Sequence, residues 1–230
     1  MTGVQTCALP ILTLAHELGH AYHQQAIAER AYFAQQYPMP LAETASIFSE
    51  TLVADAALKE TKDPQEKLTL LDQKIQAAYV MFTDLHSRYI FDRAFYAERK
   101  NGIVPAERLK EMMLAAQREA FAGMLDESGY HPLFWASKLH FYITSAPFYN
   151  FPYVFGFLFA GGVYDRARKE GKAFAKNYKA LLADTGSMTC EEVAARHLGV
   201  DLTKEAFWKD AVDRSLADID AYVALVNQQA

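Results

Sequence analysis

The sequence predicts an all-α fold, a single multi-helix domain, and three observations carry the prediction. Chain breakers are scarce, with 11 glycines and 8 prolines in 230 residues. Ala, Leu, Glu, Lys and Gln, which lose little on entering a helix, fill most of the long stretches. Apolar residues recur at spacings of three and four, and no segment alternates with the period of a strand.

Leu12 to Gln36 reads as one helix, stopped by Tyr37-Pro38-Met39-Pro40, because prolines two apart cannot continue the backbone hydrogen bonds. A second helix runs from Leu41 to Lys59. Asp63-Pro64 opens a third, with proline in the first turn. Its residues Leu68, Leu71, Ile75, Tyr79, Phe82 and Leu85 form one apolar stripe, and Asn101-Gly102 stops it just after Lys100. A fourth helix spans Pro105 to Ser128-Gly129. A loop at Tyr130–Leu133 leads into an aromatic stretch from Trp135 to Tyr164, followed by shorter helices. Asp184-Thr185-Gly186-Ser187 reads as a turn before a helix that starts at Cys190. With no linker composition anywhere, residues 12–230 are expected to be one domain. Residues 1–11 stand apart: Val4-Gln5-Thr6-Cys7-Ala8-Leu9-Pro10-Ile11 resembles the conceptual translation of a sequencing-library adapter. That segment is expected to be non-native, and Cys7 to carry no function.

Composition excludes several classes. The chain has 23 basic and 28 acidic side chains, a net charge of −5, which argues against a nucleic-acid binder that neutralises phosphates. Two cysteines, Cys7 and Cys190, make neither a disulfide scaffold nor a four-cysteine zinc site, which points to a reducing, cytoplasmic setting. The uncharged run from Leu139 to Tyr164 holds His140, Thr144, Ser145, Pro147, Asn150 and Pro152, costly residues for a lipid-facing helix. It reads as packed interior, and no membrane partner is expected. Residues 1–11 show no basic region followed by an apolar run, so no signal peptide is expected.

The motif that carries chemistry is His16-Glu17-Leu18-Gly19-His20. Two histidines four apart on a helix differ by about 40° in azimuth and one turn in height, so both imidazoles reach one point. That arrangement suits a tetrahedral zinc ion. Glu17 follows the first histidine, where its carboxylate can take a proton from a metal-activated water and pass it to a leaving amine. The plainer reading is two surface histidines and a solvated glutamate on an amphipathic helix. The third ligand is sought by counting. A third histidine six residues after His20 is absent, since Ala26 stands there, and His23 reads as a partly exposed histidine. Glu29 falls on the opposite helix face. After the proline turn Glu43 is the first carboxylate on the antiparallel return, with Glu50 seven residues later on the same face. Glu43, nearest the turn, is the expected ligand; Glu50 is either a partner that orients a ligand imidazole or an ordinary surface carboxylate. One zinc ion per chain is expected, from a donor set that also accepts cobalt or manganese.

His16-Glu17-Leu18-Gly19-His20, followed by Ala42-Glu43-Thr44-Ala45-Ser46, resembles the thimet oligopeptidase and oligoendopeptidase F family of zinc peptidases. His140-Phe141-Tyr142 and Pro147-Phe148-Tyr149-Asn150-Phe151-Pro152-Tyr153-Val154-Phe155-Gly156 resemble the oligoendopeptidase F branch. The resemblance implies a helical zinc endopeptidase acting on short peptides, with His16, His20 and Glu43 as ligands and Glu17 as general base. It further implies that His140 and one or both of Tyr149 and Tyr153 bind substrate and the oxyanion. If Tyr149 and Tyr153 share a helix, their spacing of four puts both hydroxyls on one side. The neighbouring Phe141, Phe148, Phe151, Phe155 and Phe157 make core packing the competing reading. Members of this family enclose the site between two halves, so the chain is expected to be the C-terminal catalytic part of a longer enzyme. Its missing N-terminal half would then be its partner, leaving a zinc-binding fragment of weak activity when alone.

Overall fold

The structure is a computed structural model that describes residues 5–229. Residues 1–4 of the segment expected to be non-native, and the side chain of Cys7, lie outside the described residues. Every regular element among the described residues is helical, in agreement with the all-α prediction.

The helices are α1 (Gln5–Ile27), the short α2 (Met39–Ala42), α3 (Thr44–Glu60), α4 (Pro64–Val80), α5 (His86–Arg99) and α6 (Ala106–Phe121). After irregular chain come α7 (Phe151–Glu170), α8 (Phe174–Asp184), α9 (Cys190–Leu198) and α10 (Glu205–Gln229). They divide into two compact units, residues 1–76 with 155–230, and residues 77–154. Both boundaries fall inside helices, α4 and α7. No linker composition marks them for that reason.

The first unit is built around α1, α3, α7, α8 and α9. Ile27, Leu41, Ala45, Phe159, Val163, Leu181, Leu182, Val193 and Ala194 are fully buried in it. Each large aliphatic or aromatic side chain buried there contributes about 2 kcal/mol of transfer free energy. A capping box closes the start of α9: the Glu192 N–H donates to the Thr189 hydroxyl, and the Thr189 N–H to the Glu192 carboxylate. The second unit centres on Phe91, Met112, Met113 and Ala116 of α5 and α6, with Phe95, Trp135 and Phe141 packed against them.

Several boundaries differ from the sequence expectation. The first helix ends at Ile27, not Gln36. Ile27 is fully buried, and just beyond it the Arg30 side chain turns away to donate to the Ala183 carbonyl at 3.1 Å and to Asp184 at 2.8 Å. A tertiary anchor, not a breaker residue, ends the helix. Thr44, not Leu41, opens α3, which leaves Glu43 in a non-helical joint at φ −90°, ψ 2°. The long third helix is interrupted by a wide π-turn at Met81–Leu85, where the Thr83 hydroxyl donates to the Tyr79 carbonyl at 2.6 Å. α6 stops at Phe121, well before Gly129, because Ala122 (φ 49°) and Gly123 (φ 75°) turn left-handed. The C-terminal helices are not all short, as α10 runs for 25 residues.

Candidate metal centre

The pairing of α1 with α3 builds the site. His20 faces Glu43, Gly19 meets Ala45 and Ser46, and His16 reaches Glu50. Numbers fall along one helix as they rise along the other, so the two run antiparallel. A methyl group on Gly19 would lie 2.4 Å from the Ala45 carbonyl oxygen and 2.6 Å from the Ser46 Cα. Glycine at the motif's fourth position is therefore what lets the two backbones touch. Gly156 on α7 makes the same allowance from another side, since a Cβ there would stand 3.0 Å from the Cβ of Glu43.

That close approach brings three donor groups together. Glu43 Oε2 lies 3.4 Å from His16 Nε2 and 3.4 Å from His20 Nε2. The ligand atoms of His16, His20 and Glu43 all fall within 4.8 Å of one another. The two imidazole rings stand edge-to-face, centroids 4.9 Å apart and planes at 82°, so their nitrogens converge instead of stacking. The Ser46 hydroxyl donates to Glu43 Oε2 at 2.8 Å and holds the carboxylate in place. Glu50 Oε2 lies 3.4 Å from His16 Nδ1, where it can accept a hydrogen bond from that nitrogen and fix the orientation of the ring.

The electrostatics describe a site made for positive charge. Hydrogen bonding to Glu43 and then to Glu50 pushes His16 up to about 10, against the opposing effect of burial. The His16 partner, aided by Ser46, holds the Glu43 carboxyl below the usual range although burial pushes it the other way. The donor set fits zinc on geometry too. Edges of 3.4 Å match a tetrahedron with bonds of about 2.1 Å.

Glu17 is solvent-exposed on α1. His23 is fully buried, not partly exposed as the sequence reading had it. Its Nε2 lies 2.9 Å from the Thr185 hydroxyl and its ring stacks on Tyr37 at 4.2 Å. Burial lowers it to about 4, and it serves as a neutral core residue.

His140, Tyr149 and Tyr153 form a second cluster within the unit 77–154. The His140 ring lies 5.3 Å from the Tyr149 ring and 5.7 Å from that of Tyr153, and the Tyr153 hydroxyl is 3.4 Å from His140 Nε2. Burial, followed by the charges of Arg88 and Lys138, lowers the His140 pKa. The two tyrosines do not share a helix, because α7 begins at Phe151. They meet, centroids 6.0 Å apart, through the turn that precedes it. Sequence reasoning passed over Ser46, Gly19 and Gly156 as site residues. The signal for Ser46 was its spacing of three from Glu43; for the two glycines only the packing reveals a role.

The model of Peptidase family M3 matches residues 10–213. The chain is 28% identical over 202 residues to the oligoendopeptidase F homolog of Lactococcus lactis subsp. lactis, covering 84% of this chain and 32% of that protein. It is 27% identical over 209 residues to group B oligopeptidase PepB of Streptococcus agalactiae, covering 89% and 33%. The chain thus spans about a third of the length of the curated relatives it matches. Two solved structures share the fold. A putative peptidase from Chlamydophila abortus superposes with a TM-score of 0.81 at 23% identity, over 94% of this chain and 36% of that one. Oligoendopeptidase-F from Enterococcus faecium gives 0.76 at 22% identity, over 94% and 39%.

Proposed function

We propose, from the premise that this chain belongs to peptidase family M3, that it is the metal-binding catalytic part of a zinc endopeptidase acting on short peptides. The observation that carries the reading is the convergence of His16, His20 and Glu43 within 4.8 Å from two antiparallel helices. In this reading those three residues hold the ion. Bound zinc supplies Lewis acidity, which polarises a carbonyl and makes a water acidic.

The chain's own residues do the rest. Glu17, one residue after a ligand, accepts a proton from the attacking water and returns it to the departing amine. Glu50 fixes the ring orientation of His16, and Ser46 that of the Glu43 carboxylate, so the donor set is pre-organised. His140, Tyr149 and Tyr153 are the proposed donors to substrate carbonyl oxygen, a role their clustered hydrogen-bonding groups suit. The substrates proposed are short peptides, and a cytoplasmic setting fits the sequence composition. No helix of the described residues is long and apolar enough to cross a membrane.

A second reading, a zinc-binding helical fragment that turns over poorly without an N-terminal half, is favoured by one observation. Leu14 and Leu18, four apart, leave exposed apolar surface along α1, the helix that carries the motif. Substrate positioning from the absent half would then be lost while the ligands remain.

One experiment tests both. Zinc content and cleavage of a quenched short peptide are measured for the chain and for Glu17→Gln. One zinc per chain in both proteins, with turnover about 10²-fold or more lower in the variant, is the expected result. Equal cleavage by the two removes Glu17 as base, and absence of bound zinc removes the ligand set. Zinc without measurable turnover in the parent selects the second reading.

A further inference from the structure

The turn at 147–150 is held in a conformation that its own residues disfavour. Phe148 has φ +58°, a left-handed backbone that a bulky L residue adopts only when its surroundings impose it. The surroundings come from one face of α5. Tyr89, Asp92 and Tyr96 are spaced by three and four, so their side chains line up on the helix. The Tyr96 ring lies 4.8 Å from that of Phe148, and the Tyr89 ring lies 6.4 Å from Phe148 and 6.3 Å from Phe151. Between them, the Asn150 amide donates to Asp92 Oδ2 at 3.2 Å. Asn150 is fully buried and Asp92 is 5% exposed. The segment's other arm is fixed by the same helix, through Phe91 against Phe141 at 5.1 Å.

The pair is expensive for the fold. Burial raises the Asp92 carboxyl to about 6, opposed only by the Asn150 donor, so at neutral pH a desolvated carboxylate leans on a single neutral amide. Among the described residues Asn150 Oδ1 is buried without any hydrogen-bond partner. An apolar pair of similar volume would serve stability better. Strain and buried charge concentrated at one turn point to a geometric task, and the residue held between Phe148 and Asn150 is Tyr149.

We propose that Asp92 and Asn150 are positioning residues: their hydrogen bond, with Tyr89 and Tyr96 against Phe148, locks the turn that directs Tyr149 toward His140 and Tyr153. This rests on the reading of that cluster as the donors to substrate. Asp92 and Asn150 touch no substrate themselves; they act through the backbone of 148–150. Loosening the turn leaves peptide contacts elsewhere intact but lets the phenol leave its position.

The test compares Asp92→Ala, Asn150→Ala and the exchanged pair Asp92→Asn with Asn150→Asp in the full chain. The exchange keeps an amide-to-carboxylate bond and places the new carboxylate just before α7, where a helix start favours negative charge. Hydrogen exchange of the 147–153 segment is followed at the amides of 148–151 and 153, Pro147 and Pro152 having no N–H, with the α6 amides as an internal control. Each single variant should raise exchange at 147–153 by about tenfold or more while α6 stays unchanged, and the exchanged pair should restore the parent value. Where turnover of the quenched peptide is measurable, kcat should fall by about 10- to 100-fold with KM within about twofold and zinc content constant. Unchanged exchange at 147–153, an equal rise in α6, or failure of the exchanged pair to restore protection overturns the proposal. Absence of bound zinc and of cleavage in the parent would defeat the peptidase reading alone, since the exchange arm still judges the turn.

Discussion

His23 shows how one side chain's surroundings decide its part. It lies one turn from His20 and carries the same imidazole, yet it is enclosed by Tyr37 and Thr185 and faces the core. Burial lowers it from 6.5 to about 4, so it is neutral in the fold and takes up a proton in the unfolded chain as pH falls below 6.5. Stability present above that pH is lost as pH drops toward 4, by about 3 kcal/mol in total. Denaturant titrations of the parent and of His23→Gln between pH 7 and pH 4 should show this loss in the parent only. The two histidines of the candidate metal site were legible because their spacing is itself the geometry that brings them together. The burial of His23 was not, because it depends on α8, more than 150 residues away in sequence.

At the level of elements, the decisive contact is α1 against α3. The sequence announces both helices and the candidate ligands, but the distance between the axes is set by Gly19 under the Ala45 carbonyl. Replacing Gly19 with alanine puts a methyl group 2.4 Å from that oxygen, and the helices must part. The variant should lose about 1–3 kcal/mol of stability in urea unfolding. It should also bind zinc more weakly, since Glu43 moves away from both imidazoles; metal titration against a chromophoric chelator measures this. Unchanged zinc affinity would show that the ligand set does not depend on the helix contact. Glu43 itself sits at the joint between α2 and α3, not within a helix. The proline pair marked this turn in the sequence. The end of α1 at Ile27 left no such mark, because it is made by Arg30 reaching Asp184.

For the molecule as a whole, the exposed apolar surface is the feature with consequences. Leu216, Ile219, Val223 and Val226 form a stripe along α10, between 40% and 52% exposed, at helical spacing and with no covering partner among the described residues. Surface of this kind favours association. Ile219→Lys with Val223→Glu should reduce light scattering at high concentration while changing unfolding free energy by less than about 1 kcal/mol. Scattering that is unaltered would place the sticky surface elsewhere. By itself the sequence determined the all-α class, the two-histidine motif, Glu43 as the first carboxylate after the proline turn and the aromatic segment with its tyrosines. These follow from periodicity and short-range spacing, which are local properties of a helix. Only the tertiary structure decided that Ser46 and Gly156 border Glu43, that His23 is core, that Tyr149 precedes a helix instead of lying on one, and that Asp92 grips Asn150. Each of those depends on which distant backbone comes within a few ångströms, and packing between helices, unlike the repeat within one, leaves no periodic trace in the order of residues.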